Sequence, residues 1–349
     1  MIVTSPAWEE TLATSHTMLA SVLVDGVERR VTSGNVVLDL DNESYGSLVF
    51  TLADEEDVGL DEGDPVLPFG QRAVVRYFLR TPSGVEAVEI TCEFLLTSAP
   101  TRAGVLTARE VRAATTVLLV KDDRFLVPWQ PPTTSARDSL TGLLQASVPG
   151  AVVTYDATVT DRTVHTTTIY ERERWEAVAA LLDSLDSYLR PVPGGFRVSP
   201  LVQTAGTSVW RVATGENLLH GTKPGASRDG RYNAVVAFNA DDPTVWAVAY
   251  QTVGPTRWNG PFGHRPAFYA SPFLTAATVQ QAANTRLGSI NGRARVLEVE
   301  CIRNPALEPG DFVDVIWPGG TSEQIMIRKI EMPLEPGSMR ITGQAAAAV

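Results

Sequence analysis

The sequence predicts a mainly β protein that carries smaller α/β modules, and three observations lead to this fold class. Short runs rich in Val, Leu, Ile, Thr and Phe alternate with clusters of Gly, Asp, Asn and Pro over residues 17–118, and again from residue 209 onward. Between residues 135 and 189, two stretches instead place apolar residues three and four apart, which is typical of amphipathic helices. With 349 residues, of which 44% are hydrophobic, the chain can bury at least one sizeable core.

Residues 1–124 are predicted to form an antiparallel β domain, either a meander or a barrel. Asp25 and Gly26 lie between two valines and predict a hairpin turn, as does the run from Pro82 to Gly84. The predicted strands are 17–24, 35–40, 47–52, 72–80, 85–96 and 104–120.

Residues 125–204 are predicted to form an α/β module. Three prolines at 128, 131 and 132 favour neither helix nor central strand, so they indicate a boundary. Ser135 is the expected N-cap of a first helix. The apolar stripes are Leu140, Leu143 and Leu144 in the first helix, and Trp175, Val178, Leu182, Leu185 and Leu189 over four turns of the second. Strands are expected at 151–160 and 163–170, and a turn at 191–195 leads to Phe196.

Residues 205–349 are predicted to form a second β domain, with a loop and a helix inserted around 251–293. The loop 254–272 is rich in Gly, Pro and aromatic residues and is too long for an ordinary connection, which indicates an ordered functional or interface loop. Thr275 is the expected N-cap of a helix with Val279, Ala283, Leu287 and Ile290 on its apolar face. The predicted strands are 209–212, 232–238, 245–250, 294–302, 312–317, 323–332 and 338–342.

One short pattern occurs twice. Residues 60–66 and 307–313 both have the form L-acid-x-G-D-x-V, which predicts a turn that delivers the chain into a strand. The repetition either marks a duplicated β domain or reflects a common kind of turn.

Composition excludes several classes of protein. Forty acidic residues against 29 basic ones give a formal charge of -11, which argues against a general DNA-binding surface. Cys92 and Cys301 stand far apart and outside any CxxC pair, so neither a disulfide framework nor a zinc cluster is expected. The first residues lack a basic signal-peptide region, and no apolar run approaches about 18 residues. We therefore expect a soluble protein that is made in a reducing compartment, is not exported by the general route and does not insert stably into a membrane.

No catalytic, cofactor-binding or metal-ligating residue is predicted, and the chain is expected not to be an enzyme. The motifs HExxH, GxSxG, GxGxxG and the P-loop are absent. The histidines are His16, His165, His220 and His264, and they lie too far apart in sequence to form a local metal or catalytic site. A catalytic triad assembled from distant segments remains an alternative. Each cysteine stands beside a glutamate, Glu93 or Glu300, which disfavours a reactive thiolate.

Two unusual segments allow more than one interpretation. The acidic run Asp54 to Asp57, continued by Asp61, Glu62 and Asp64, lacks the spacing of a calcium loop and is predicted to be a solvated turn. Seven aromatic residues precede the last helix, and they favour core or interface packing over a glycan-binding surface. These residues are Trp246, Tyr250, Trp258, Phe262, Phe268, Tyr269 and Phe273.

Several segments together resemble the minor tail proteins of actinobacterial long-tailed phages. The resemblance is carried by residues 231–236, 254–263, 269–275 and 304–311. The helix from Trp175 and the following Gly195-Phe196-Arg197-Val198-Ser199-Pro200 run are similar to a module shared by tail hubs and baseplate hubs. Residues 34–52 and 67–70 are similar to the opening domain of that family.

This resemblance implies a structural role. It implies a trimeric hub at the tail tip, in which two tail-tube-like antiparallel β-barrels per chain form a pseudo-sixfold ring and the α/β modules decorate it. The implied partners are two further copies of the chain, the distal tail protein, the tape measure protein and tail-tip or fibre proteins. DNA would pass through as cargo only, which an acidic lumen would suit, and residues 54–64 are expected near the channel or a subunit face.

Two alternatives to a tail hub stay open at this point. One is a tail protein that binds a receptor or cell-wall glycan, which rests on the aromatic residues between 250 and 273. The other is a peptidoglycan-cleaving tail enzyme, which the absence of a recognisable catalytic constellation disfavours.

Overall fold

The computed structural model of the chain describes residues 12, 17–52, 66–81, 84–89, 93–98, 109–201, 206–222, 228, 231–293 and 296–345. The helices are α1 (Val117–Asp122), α2 (Ala136–Ser147), α3 (Arg174–Ser184) and α4 (Val279–Arg293). The strands are β1 (Thr17–Val24), β2 (Val27–Arg29), β3 (Val31–Asp39), β4 (Gly46–Leu52), β5 (Arg72–Thr81), β6 (Gly84–Glu89), β7 (Phe94–Ser98), β8 (Arg109–Thr115), β9 (Val152–Tyr155), β10 (Ser187–Val192), β11 (Gly195–Pro200), β12 (Ser208–Ala213), β13 (Leu218–Thr222), β14 (Ala234–Phe238), β15 (Trp246–Tyr250), β16 (Pro266–Ala270), β17 (Val296–Cys301), β18 (Phe312–Ile316), β19 (Ser322–Pro333) and β20 (Met339–Ala345).

A large and mostly antiparallel sheet dominates the molecule. Among the described residues, fourteen strands from both ends of the chain belong to it, in the main order β13-β17-β20-β19-β3-β4-β8-β7-β5-β1-β2. The strands alternate between buried and more exposed positions; in β4, for example, Leu48, Phe50 and Leu52 are buried. The predicted mainly β fold class is confirmed.

The two β regions are joined by direct strand pairing. Residues 35–39 of β3 pair antiparallel with residues 329–333 of β19. Buried Arg303 strengthens this connection, because its guanidinium donates to the carbonyl oxygens of Met18 at 3.0 Å, Pro333 at 3.1 Å and Glu335 at 3.0 Å. An ion pair between Arg328 and Asp41 crosses the same boundary.

The α/β module begins where β8 ends. Its sheet has the order β10-β11-β9, and its helices α2 and α3 bury Leu140, Leu143, Leu144, Val178 and Leu181 in the same core cluster that underlies the large sheet. Ser135 caps α2 as predicted, because its Oγ accepts a hydrogen bond from the Asp138 N–H at 3.0 Å. A buried ion pair at 2.9 Å between Arg190 and Glu308 connects the module to the turn before β18.

The second helix of the module is shorter than predicted. It ends at Ser184, whereas the apolar stripe predicted a helix through Leu189. Asp186 adopts a left-handed backbone with φ +49°, which stops the helix, and Leu189 instead lies in β10 opposite Val198. The local periodicity was therefore overridden by strand pairing.

Other predicted strands also differ from the observed ones. The prediction of a strand over 104–120 is wrong for residues 117–120, since Val117 and Val120 lie on the buried side of α1. Residues 163–170 form no strand, because only Thr163 and Tyr170 pair there, as isolated bridges to Ser135 and Trp129. The predicted strand 151–160 contracts to β9. Of the predicted strand 85–96, residues 85–89 lie in β6 and residues 94–96 in β7, and residues 90–92 lie outside the described residues.

Several predictions near the ends of elements are confirmed. The turn at Asp25 and Gly26 connects β1 to β2 with φ angles of +47° and +79°, which suit a two-residue hairpin. Before β18, Gly310 has φ +96°, and Asp311 accepts a hydrogen bond from the Glu308 N–H at 2.8 Å, as the turn pattern predicted. Its counterpart, residues 60–65, lies outside the described residues, as do the acidic run 54–64, Cys92 and His16. The division at residues 124 and 204 stays a prediction.

The turn at Gly310 offers a test of this packing. We expect Gly310→Val to lower the free energy of unfolding by about 2–4 kcal/mol, because a side chain strains the positive φ and its Cβ would collide with the Tyr188 hydroxyl. Gly320→Val is the control, since Gly320 also has positive φ but nothing lies within 4 Å of its added Cβ. Chemical denaturation of both variants would measure the difference; equal losses would contradict the predicted role of Tyr188.

Candidate interaction surface

The inserted segment forms a small layered unit of one sheet and one helix. β14 pairs antiparallel with β15 and parallel with β16. Its inner face packs on α4 and forms a separate small core of Val235, Ala237, Ala249, Leu274, Val279, Ala283 and Leu287. The loop predicted over 254–272 therefore contains a strand, β16, and the helix predicted after Thr275 begins at Val279.

The opposite side of this sheet carries apolar and aromatic side chains, and apart from the buried Ala234 these side chains are partly or largely exposed to solvent. We call it the outer sheet face, formed by Ala234, Val236, Phe238, Trp246, Val248, Tyr250, Pro266, Phe268 and Ala270. Trp246 is 60% exposed, Tyr250 48% and Phe268 71%. A contiguous exposed patch of this kind marks an interaction site more often than isolated exposed residues do.

A stack of rings extends the outer sheet face beyond Tyr250. The ring centroids of Tyr250 and Trp258 are 5.1 Å apart, and Trp258 stacks on His264 at 4.0 Å with an interplanar angle of 8°. His264 thus packs against Trp258 within the loop, and His165 is exposed. The arrangement produces one aromatic ridge along the edge of the sheet.

Asn233 holds the base of the loop that carries this ridge. It is fully buried, its Nδ2 donates to the Gly263 carbonyl at 2.6 Å, and its Oδ1 accepts from the Arg265 N–H at 2.8 Å. Backbone bonds from Asn233 to Arg265 and from Gln251 to Asn233 close the same junction. The side chain thus fixes the direction in which the loop leaves the sheet.

The unit is attached to the α/β module by charged contacts. Arg286 on α4 forms an ion pair with Asp183 on α3, and its guanidinium lies 4.2 Å from the centroid of the Tyr269 ring. The guanidinium of Arg162 donates to the side-chain oxygen of Gln281 at 3.2 Å and lies 3.6 Å from the carboxylate of Asp186. A cleft of about 440 Å³ lies between the two parts. Burial raises the pKa of Asp186, and Arg162 and Arg286 offset part of that rise.

Three observations concern metal ligands, the buried thiol and membrane-spanning helices among the described residues. None of their His, Cys, Asp and Glu side chains form a group of three that could hold a metal ion. Cys301 is buried in β17, and burial together with the neighbouring Glu300 raises the pKa of its thiol to about 12. Within the described part of the chain, no helix has the length and apolar character needed to span a membrane.

The outer sheet face could have been found from the sequence in part. The run from Trp246 to Tyr250 alternates large residues with alanine, which is typical of a strand with two different faces. Phe268 could not be assigned to the same surface, because its parallel register with Val236 joins residues 32 positions apart. Sequence analysis identified these aromatic residues but not the sheet that gathers them.

The contact between the two parts can be tested at Arg286. We expect Arg286→Ala to lower the free energy of unfolding by about 1–2 kcal/mol, because it removes the ion pair to Asp183 and the stacking on Tyr269. Arg172→Ala, a change at an exposed position of the α/β module, should have little effect. Thermal melting of both proteins measures this, and equal melting temperatures would contradict the role assigned to Arg286.

Alkylation of Cys301 tests whether its thiol is buried and unreactive in the folded protein. With a pKa of about 12, roughly one Cys301 thiol in ten thousand is ionised at pH 8, against about a quarter for an exposed cysteine. In a Cys92→Ser background, iodoacetamide should therefore alkylate Cys301 only after denaturation. Mass spectrometry of labelled native and unfolded protein measures the extent; rapid native labelling would show that this thiol is reactive after all.

Comparison with known proteins shows which other proteins have a similar fold. No family model matches the chain, and no curated protein sequence matches it significantly. Among solved structures, a tail protein from Neisseria meningitidis MC58 is similar over 95% of this chain and 97% of its own, with 14% identity and a TM-score of 0.69. The 43 kDa tail protein of prophage MuSo2 from Shewanella oneidensis covers 94% and 98%, with 14% identity and a TM-score of 0.64.

A third solved structure comes from a secretion machine. It is a component of the Escherichia coli type VI secretion system with structural similarity to the T4 bacteriophage tail proteins gp27 and gp5. It covers 93% of this chain and 76% of its own, with 11% identity and a TM-score of 0.54. The chain therefore has the fold of phage tail proteins, a fold that a secretion-system component shares.

Proposed function

We propose that this chain is a structural component of a phage tail or of a phage-like particle. The observation that carries the proposal is the likeness of the whole chain to whole tail proteins, with 95% and 97% of the two chains covered in the Neisseria comparison. A match over both β regions and both smaller units is more specific than a shared single domain. The role is mechanical and requires no catalytic residue, cofactor or metal.

Within the tail, the proposed position is a trimeric hub at the tip that closes or adapts the tail tube. Residues 1–124 and 205–349 would supply two barrel domains, and residues 125–204 a hub module, with the unit around 251–293 inserted in the second barrel domain. The large sheet, in which β3 pairs with β19, and the turn at Gly310 are compatible with this arrangement. The finer identification as an actinobacterial minor tail protein rests on the sequence resemblance.

The acidic charge supports a conduit for DNA rather than a DNA-binding role. Three copies would carry three times -11, or -33, and a passage lined with acidic residues repels phosphate. The acidic run from Asp54 to Asp64 is proposed to lie near the lumen or a subunit face. Proposed neighbours are the distal tail protein, the tape measure protein and tail-tip or fibre proteins.

A second candidate function follows from the exposed aromatic residues. Trp246, Tyr250 and Phe268 present flat rings on one open surface, which a cell-wall or receptor glycan could stack on. The side-chain hydrogen-bonding groups of the outer sheet face are the Tyr250 hydroxyl and the indole N–H of Trp246, and the face carries no carboxylate, amide or charged side chain. Sugar recognition requires placed polar groups, so this composition favours a protein partner. A glycan array with the purified protein would test the alternative.

The tail proposal is tested by oligomeric state and by particle composition together. We expect the purified protein to be trimeric by light scattering and to be present in purified tails by mass spectrometry, with labelling at the tip in electron micrographs. Deleting its gene should leave particles without a functional tail tip. A protein that is monomeric at micromolar concentration and absent from particles would refute the proposal.

A further inference from the structure

The inserted unit has a charge opposite to that of the rest of the chain. Residues 231–293 contain five arginines and two aspartates, and no acidic residue occurs between positions 243 and 297. The remaining residues contain 24 basic and 38 acidic side chains, a net charge of -14. A basic unit is thus carried by a strongly acidic protein, and it is the unit that exposes the outer sheet face.

Three arginines, Arg228, Arg257 and Arg265, lie at one end of the outer sheet face. Arg257 is exposed in the loop that also carries Trp258. Arg228 donates to the Phe262 carbonyl at 2.9 Å, and Arg265 donates to the Arg228 carbonyl at 2.6 Å, so both guanidinium groups are held at the base of the same loop. Together with the sheet they form an apolar centre beside a basic margin, which is the usual composition of a protein interface.

The size of the surface indicates how it would be used. Three strands of five residues cover an area of roughly 14 by 17 Å, well below the roughly 800 Å² that each partner contributes to a stable interface. The sheet therefore supplies only the apolar centre, and the loop with its arginines must also contact the partner. A partner surface of opposite charge would be attracted to this margin, and a basic one would be repelled.

We propose that the outer sheet face and its arginine-bearing loop dock onto the acidic surface of a second copy of this chain. Each neighbouring copy presents the complementary negative charge, because its residues outside the inserted unit carry a net charge of -14. A face-to-face pair would instead bring the arginines of two loops together. A contact between different surfaces of neighbouring copies closes into a ring when the rotation allows it. This inference deepens the proposed trimer and rests on it.

Crosslinking of the full-length protein tests the contact directly. A photoreactive phenylalanine analogue at position 268, in a mixture of light and heavy isotope-labelled copies, should form crosslinks between copies that end in acidic segments outside residues 231–293. The matched control places the analogue at position 126, because Leu126 is 100% exposed but lies in the α/β module. Crosslinks within one copy only, or none, would overturn the inference.

Substitution provides an independent measurement. Phe268→Glu should weaken self-association at least tenfold, while Leu126→Glu should leave it unchanged, with the fold of both variants checked by circular dichroism. Raising the salt concentration should also weaken association of the native protein, because the margin is charged. If Phe268→Glu leaves a stable trimer, the inference fails and the proposed hub stands. If the native protein is monomeric and absent from tails, both fail.

Discussion

The pairing of β3 with β19 is the constraint on which the rest of the structure depends. It joins strands from both ends of the chain into one sheet, and the guanidinium of Arg303 donates to the Met18 carbonyl across the junction and to the Pro333 and Glu335 carbonyls on its own side. Buried carbonyl oxygens need such donors, because an unsatisfied one costs about 1–3 kcal/mol. The α/β module and the inserted unit are both attached to this sheet, so their positions follow from it.

Charged pairs set the positions of the two smaller parts. Arg190 and Glu308 connect the α/β module to the large sheet, and Arg286 and Asp183 connect the inserted unit to the module. The Arg190–Glu308 pair is buried and the Arg286–Asp183 pair is partly exposed, and forming either contributes little net stability, so these contacts act mainly by fixing geometry. Within the inserted unit, its own small core packs one side of the sheet on α4 and leaves the other side open.

The distribution of apolar surface connects the fold to the proposed assembly. The inner core of the inserted unit uses small residues such as Ala237, Ala249 and Ala283, whereas the large rings of Trp246 and Phe268 lie outside. A monomer would gain stability from the reverse arrangement, because large apolar groups contribute most when buried. The observed distribution is expected of a unit whose outer side is covered by another protein surface.

The sequence by itself determined the fold class, most strands, the hairpin at Asp25 and Gly26, and the cap at Ser135, because these depend on residues close together in the chain. It also identified the aromatic residues of the outer sheet face. Only the tertiary structure decided that α3 stops at Ser184, that residues 163–170 form no strand, and that Phe268 lies beside Val236. Those outcomes depend on pairing between distant segments, whose register no local pattern specifies.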